Sequence, residues 1–499
     1  MLSGVPRSPS TPSSQRTSRL ALIGVFALGL ALRMSYLSAQ SLSMDEIGEV
    51  GISTQPLRSV ISSPDGFPPL YFILSHLWLG VFTEPASLRV LSVVFGTLTI
   101  LAIWQLGRHA GGELTGITAA FLLAVSALHI YFSQEARPYS LYFLLAVLGI
   151  SSFCRARATN GARSWMLYVA IAVLGLYTHY YFALLILTLL FTVLWETRSR
   201  SRERRTLVAH FAIGALAVPC VLLLRADFSH QQGYTLVRPS IDLAALGYAE
   251  FTLLAGFGIG PSVRELHTLG ATEAIRQFLP WILALGTSAL YLVNLALREP
   301  ARRLWTLRLA LLVTLPVGIC AALGAALGFG FRVRYIAWCA APLLLLLGLG
   351  AARRPRAWQT WVSLGLVVAV SAVSTVNRWT VPRYRNEDAR GAASYLTSVS
   401  TAETPIFVIA GYMAGPLRHY IGETRQVYPL KGPDISGGLS PVLAAIRERV
   451  SAGRPFWLVY SRSFDGDVDG RLLRALQVPA GLTRRATLAG IEIFEAKGF

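Results

Sequence analysis

Lysine is almost absent from this 499-residue chain, Lys431 and Lys497 being the only two. Charge of any kind is scarce: 14% of residues are ionisable acids or bases, against about 25% in a soluble globular chain. That shortage excludes a cytosolic enzyme, a disordered chain and a nucleic-acid module. Much of the chain must sit in a non-aqueous solvent. The net charge of +19 is carried by arginine, so its meaning lies in where the arginines fall. Four cysteines, Cys154, Cys220, Cys320 and Cys339, are widely spaced in apolar stretches. They make neither a metal motif nor a disulfide framework and read as buried thiols. No Gly-x-x-x-x-Gly-Lys-Ser/Thr loop is present to cradle a nucleotide, and no internal repeat is evident.

What the chain has instead is apolar runs. Hydrophobic residues make up 54% of it, concentrated in stretches close to the roughly 20 residues that cross a bilayer. The hydropathy predicts an α-helical polytopic membrane protein with about 11 spans. They fall at 19–39, 87–107, 114–132, 139–154, 165–179, 180–195, 206–224, 278–297, 304–327, 335–352 and 358–376. The fifth and sixth form one long run, divided at Thr178-His179-Tyr180. A further stretch, 243–260, carries Glu250 and several glycines and is expected to be interfacial or re-entrant. Arginine then orients the set. With the N-terminus cytoplasmic, one side holds about 18 arginines in fewer than about 60 loop residues, and the other about 8 in more than about 110. The first run lacks a small-x-small cleavage site, which argues against a secretory signal.

Three regions follow. Residues 1–18, rich in Ser, Pro and Arg, are expected to be a disordered cytoplasmic tail, and 19–376 the membrane domain, with a first extracytoplasmic loop at about 40–86. Residues 377–499 alternate helical and strand patterns and read as a small extracytoplasmic α/β domain. Its predicted helices are 387–399 and 440–450. Its predicted strands are Pro405–Ala410, Pro455–Tyr460 and Ile491–Glu495.

The ionisable residues outside the arginine-rich side gather at the outer membrane edge. The first loop opens Ser41-Leu-Ser-Met-Asp45-Glu46-Ile-Gly-Glu49. Glu49 stands one helical turn from Asp45 and Glu46 and shares a face with either. A partly desolvated carboxylate there suits a general base; the plainer reading is a solvated loop or a helix capped by Ser43. Next comes Asp65-Gly-Phe67-Pro-Pro-Leu-Tyr71, where two prolines fix an extended entry into an interfacial helix. The second outer loop holds Glu135, Arg137 and Tyr139. Glu135 and Arg137 either pair with each other or serve a ligand, arginine being the preferred phosphate partner. His179 lies among belt tyrosines, and a neutral imidazole there has a hydrogen to donate. Arg332 and Arg334 form an outer hairpin against the positive-inside bias and call for an anionic partner.

Taken in order, these segments resemble the GT-C glycosyltransferases of the bacterial family-39 group, related to protein mannosyltransferases and the lipid A aminoarabinose transferase. The likeness rests on Ser41–Glu46, Phe67–Trp78, Ser133–Ser140, Tyr177–Phe182 and Arg334-Tyr335, and covers most of residues 20–350. The tail from Glu387 to Leu396 is similar to those trailing the same group. The resemblance implies inverting transfer of a sugar from a polyprenyl phosphate to an acceptor outside the cytoplasm, in the inner membrane of a bacterium. It makes Asp45 the base, leaves Glu46 beside it at the catalytic centre to orient the loop or the acceptor, and assigns Arg137, His179 and Arg334 to the donor phosphate. Glu49, Glu135, Arg332 and Tyr139 are further site candidates. Phe67 departs from the His or Lys that often precedes the two prolines in relatives. No nucleotide is implied, and no metal is expected, although three carboxylates leave a divalent cation open. Partners would be the lipid-linked sugar, an envelope glycan, lipid or protein acceptor, and membrane lipids. The C-terminal domain is expected to dock the acceptor. A secondary transporter, a glycan-binding scaffold and a transferase of whole lipid-linked oligosaccharides are the competing readings.

Overall fold

The computed structural model describes residues 12–62, 66–195, 200–231, 243–327, 331–450 and 453–498. Asp65, the first part of the tail and part of the arginine run before Arg205 lie outside the described residues. Helix Pro12–Met34 takes in the last part of the expected 18-residue tail. The described chain forms two compact units. One comprises residues up to Leu37, Ile52–Ile259 and Ile275–Thr375; the other comprises Ser38–Gly51, Gly260–Ala274 and Val376–Phe499.

The first unit is helical. All eleven expected spans fall on helices, but they are not equivalent. Among the described residues, seven helices are long and apolar enough to cross a membrane, or nine if each of two bent pairs counts as one span. The pairs are Glu113–Val125 with Ala127–Ser133, bent by 62°, and Glu203–Leu216 with Val218–Arg225, bent by 44°. The fifth and sixth expected spans are shorter apolar helices, Ala162–Thr178 and Phe182–Trp195. The break between them is where the polar triplet placed it. His179 adopts an extended conformation, and a Cβ on Gly175 would overlap the Phe182 ring that packs there. Helix Leu243–Ala255 has 13 residues, too few to span. Close helix packing is set by small residues: a Cβ on Gly107 or Gly116 would strike the facing helix backbone.

One bend is held by a buried arginine. At Ser126 the chain leaves helical geometry with ψ 118°, which frees the last carbonyls of the preceding helix. Arg33, wholly buried, donates through Nη1 to Ala124 at 3.0 Å and through Nη2 to Leu123 at 3.1 Å. Nη2 also meets Nδ1 of His129 at 2.7 Å. A cation at a helix C-terminus is favoured by the macrodipole, and here it satisfies backbone that lipid could not. Gln134 adds a second tie, its Nε2 donating to the carbonyls of Arg33 and Ser35 at 3.0 and 2.6 Å.

The second unit contains a five-stranded sheet with helices on both faces. Its strands are β1 (Ile406–Ile409), β2 (Val427–Leu430), β3 (Phe456–Ser461), β4 (Thr483–Leu488) and β5 (Ile491–Ala496), in the order β2-β1-β3-β5-β4. β2, β1 and β3 run parallel; β5 is antiparallel to β3 and to β4. Alternation in β1 sends Ile406 and Val408 to one core, with helices Ala389–Val399 and Ala414–Ile421. Phe407 and Ile409 go to the other, with Leu439–Arg449 and Arg471–Gln477. The predicted central strands and both predicted helices are present. The two unexpected strands, β2 and β4, are the sheet edges, where proline and arginine are tolerated and no apolar run is needed.

Candidate active site

Two constellations hold the residues singled out above, one in each unit. The first is an aromatic and cationic cluster in the helical unit. Pro69 caps helix Leu70–Leu79, and the buried Tyr71 hydroxyl meets Ser92 Oγ at 2.7 Å. This anchors the Phe67-Pro-Pro segment. The exposed Leu77 and Phe82 beyond it suit an interfacial helix. The Phe67 ring lies beneath the Arg137 guanidinium, 4.4 Å from centroid to Cζ. Phe67 thus gives the arginine a cation–π floor. Arg137 is itself buried, in a tight turn closed by its N–H donating to the Glu135 carbonyl at 2.8 Å.

His179 sits at the centre. Its ring stacks on Tyr142 at 4.4 Å with 5° between planes, and meets Phe67 edge-on at 5.3 Å. The backbone N–H of Tyr181 donates to its Nδ1 at 3.2 Å. A nitrogen that accepts carries no proton, so in the neutral ring the hydrogen is on Nε2. Among the described residues that Nε2 is buried and has no hydrogen-bond partner. Arg334 and Arg137 are both close enough to act on the ring electrostatically. Arg334 Nη1 donates to the Tyr139 hydroxyl at 3.3 Å. Behind it, Tyr335 stacks on Tyr181 at 4.1 Å, and Tyr142 donates to the Tyr335 carbonyl at 3.0 Å. Arg137 and Tyr139, His179 and Arg334 are thus brought together from three separate stretches of chain. Glu135 is half-buried on the turn, and Arg332 is exposed at the start of helix Val333–Ile336. Sequence reasoning missed Tyr142, whose apolar surroundings read as span, and gave Phe67 no contact of its own.

The second constellation carries the acids. Helix Met44–Ser53 opens with a reciprocal cap: Ser43 N–H donates to Glu46 Oε2 at 2.8 Å, and Glu46 N–H to Ser43 Oγ at 3.3 Å. This Ser-x-x-Glu box is the helix cap that the plainer reading offered at Ser43, and the Glu46 side chain is buried in it. Asp45 stands in the same first turn, half-buried, and Glu49 is buried one turn on. The residues just before the cap are tied to the α/β domain. Leu42 N–H donates to the Tyr420 hydroxyl at 2.8 Å, and Ser41 Oγ to Asp388 Oδ1 at 2.8 Å. The first loop therefore divides: Ser38–Gly51 belongs with the C-terminal domain, and its remainder with the helical unit.

A buried ion group stands beside this tie. Arg462 donates to Glu387 through Nε at 2.9 Å and Nη2 at 3.2 Å, with Arg264 at 3.7 Å. Burial alone would raise the Glu387 carboxyl, but the Arg462 charge and hydrogen bonds, with Arg264, outweigh it and hold it below its usual 4.5. A depressed carboxyl stabilises the fold fully above its unfolded pKa and loses that contribution as pH falls through the folded one. Glu387→Gln is therefore expected to destabilise this domain by about 2 kcal/mol near neutral pH. The difference should shrink towards zero in acid. Hydrogen exchange of the β1 and β3 amides across pH reads it, and a difference unchanged in acid would contradict it.

Residues 67–224 match the profile of the family described as dolichyl-phosphate-mannose-protein mannosyltransferase. The chain is similar in structure to ArnT from Cupriavidus metallidurans in the apo state, with a TM-score of 0.59 at 12% identity, over 97% of this chain and 98% of that one. The two chains share one fold. A second likeness is to the oligosaccharyltransferase of Archaeoglobus fulgidus. Its TM-score is 0.55 at 12% identity, over 94% of this chain and 73% of that one. The same archaeal enzyme, AglB, solved with an inhibitory peptide and a dolichol-phosphate, matches with a TM-score of 0.53, 12% identity and coverage of 96% and 74%. No curated protein sequence matches the chain. The profile match takes in Phe67, Arg137, Tyr139 and His179, while Asp45 and Arg334 lie outside it.

Proposed function

We propose that this protein is a membrane glycosyltransferase that moves a sugar from a polyprenyl phosphate to an acceptor hydroxyl on the extracytoplasmic side. The observation that carries the reading is the buried Nε2–H of His179, without a partner among the described residues and close to Arg137 and Arg334. Two guanidinium groups and a neutral N–H donor, floored by aromatic rings, make a binding place for a phosphate. The GT-C fold supports the reaction class, and the archaeal relative solved with a dolichol-phosphate supports the lipid carrier.

The chemistry is one displacement. Asp45 takes the proton from the acceptor hydroxyl as its oxygen attacks the anomeric carbon. The carbon–oxygen bond to phosphate breaks, and its electron pair leaves on the polyprenyl phosphate. The sugar inverts. Negative charge grows on the departing phosphate, where fixed donors in a water-poor site act most strongly. The activated donor holds the energy already, so the reading calls for neither nucleotide nor metal. In this reading the protein lies in a bacterial inner membrane with its N-terminus cytoplasmic and the α/β domain outside. Its acceptor is an envelope glycan, lipid or protein.

The test is release of free polyprenyl phosphate by the full chain in lipid discs. The panel contains polyprenyl-phosphate hexoses, polyprenyl-phosphate aminoarabinose and a lipid-linked oligosaccharide, each offered with envelope extract as acceptor source. Release from one monosaccharide donor is expected. Turnover of the oligosaccharide donor alone would favour an oligosaccharyltransferase, and turnover of none would overturn the reading.

A further inference from the structure

The segment that leads into Asp45 contains little that would fix its position by itself. Ser38 to Leu42 forms no regular helix or strand, yet Ser41 and Leu42 are buried. Their order comes from the C-terminal domain. Ser41 Oγ is inserted at the start of helix Ala389–Val399, donating to Asp388 and accepting from the Arg390 N–H at 3.1 Å. Asp388 itself caps that helix by accepting from the Gly391 N–H at 3.0 Å. The Tyr420 hydroxyl, from helix Ala414–Ile421, receives the Leu42 N–H. Gln40 closes the other side: its Oε1 accepts from Asn386 N–H at 3.0 Å and from Arg378 Nη1 at 2.5 Å.

Each bond from Gln40, Ser41 or Leu42 to the domain joins residues more than three hundred positions apart. Two residues beyond Leu42 begins the capped helix whose first turn carries Asp45. The cap makes Ser43 to Glu46 a rigid continuation of Ser41 and Leu42. A serine inserted in a helix cap and a tyrosine on a backbone N–H are an expensive way to hold a surface loop, since each buried group lost leaves its partner unsatisfied. They are well suited to fixing a reacting group. Displacement of such a group by about 1 Å costs roughly 10²-fold in rate.

We infer that Ser41 and Tyr420 are positioning residues for the Asp45 carboxylate, and that the C-terminal domain acts in the reaction by holding this loop. The inference rests on the reading of Asp45 as the base. It gives the domain a task in catalysis whether or not it also touches the acceptor.

Tyr420→Phe removes one hydroxyl, and Ser41→Ala another, with Ser41→Thr as the conservative control. Three readouts on the full chain in lipid discs decide the matter: hydrogen exchange of residues 38–53, binding of undecaprenyl phosphate, and release of polyprenyl phosphate under the conditions of the donor panel. Exchange of 38–53 should rise in both variants while β1 and β3 stay protected. Turnover should fall about 10-fold in each single variant and about 100-fold in the pair. Undecaprenyl phosphate binding should change less than about 2-fold, and Ser41→Thr should restore turnover. Added to Asp45→Asn, neither variant should cost anything more, because the group they position is gone.

Wild-type exchange in 38–53 for both variants would overturn the inference whatever the turnover. Normal turnover in both, with Asp45→Asn inactive, would overturn it and leave the base in place. An active Asp45→Asn would remove the base assignment, and the inference with it. Equal loss of turnover and undecaprenyl phosphate binding, with general loss of protection, would make these residues cohesive only and would also overturn it.

Discussion

Asp45→Asn is expected to lower sugar transfer by about 10³-fold, the middle of the range for loss of a general base. Asparagine matches the carboxylate in size. The Ser43–Glu46 cap beside it is unaltered, so the helix start stays in place. What disappears is the capacity to accept a proton as the acceptor oxygen attacks. The loss should fall on turnover, with undecaprenyl phosphate bound as tightly as by the wild type. Single-turnover release of polyprenyl phosphate, measured beside lipid binding, separates the two. Transfer within a few-fold of wild type would mean that the proton goes elsewhere, and would favour a non-catalytic binding role for this face. Glu46→Gln provides the contrast, because a glutamine at the third helical position still reaches back to the Ser43 N–H. Its expected cost is small.

The second large effect belongs to the cations. Arg137→Ala is expected to cost about 10²- to 10³-fold in kcat/KM, the usual cost of removing one donor to developing charge. Arg334→Ala should cost a similar factor. Unlike the base variant, both should also weaken undecaprenyl phosphate binding, because the product carries the phosphate they are proposed to meet. Arg137→Lys is the sharper probe. Lysine keeps the charge but loses the planar group that lies over Phe67 at 4.4 Å. It should recover only part of the loss. Full recovery by lysine would show that charge alone matters, and undiminished lipid binding in Arg137→Ala would place the phosphate elsewhere. His179→Ala removes one neutral donor and should cost less than either arginine.

The apolar runs are properties of neighbours in sequence, and from them the apolar helices were legible, with some ends displaced by several residues. The break at His179 was legible too, since three polar residues interrupt one long apolar run. Span status was less so. Whether Ala162–Thr178 crosses a bilayer depends on helix length, and the 62° bend at Ser126 depends on Arg33, which arrives from another helix. In the α/β domain the buried strands could be read from their apolar runs. The edge strands could not, because Pro429 and the arginines of β4 are tolerated where one side of the strand is open.

The same division runs through the candidate site. Residue type and expected outer-edge placement made Asp45, Arg137, His179 and Arg334 candidates, because ionisable groups at a membrane edge are costly unless used. The sequence alone thus determined the set of apolar helices and the kinds of side chain offered as candidates for the chemistry. Only the tertiary structure decided that Phe67 would floor Arg137, that Tyr142 would stack on His179, and that Ser41 would enter a helix cap 347 positions away. Hydropathy is written locally, one residue after another. Hydrogen bonds and ring contacts are chosen only when distant parts of the chain meet, and no local pattern records which parts those are.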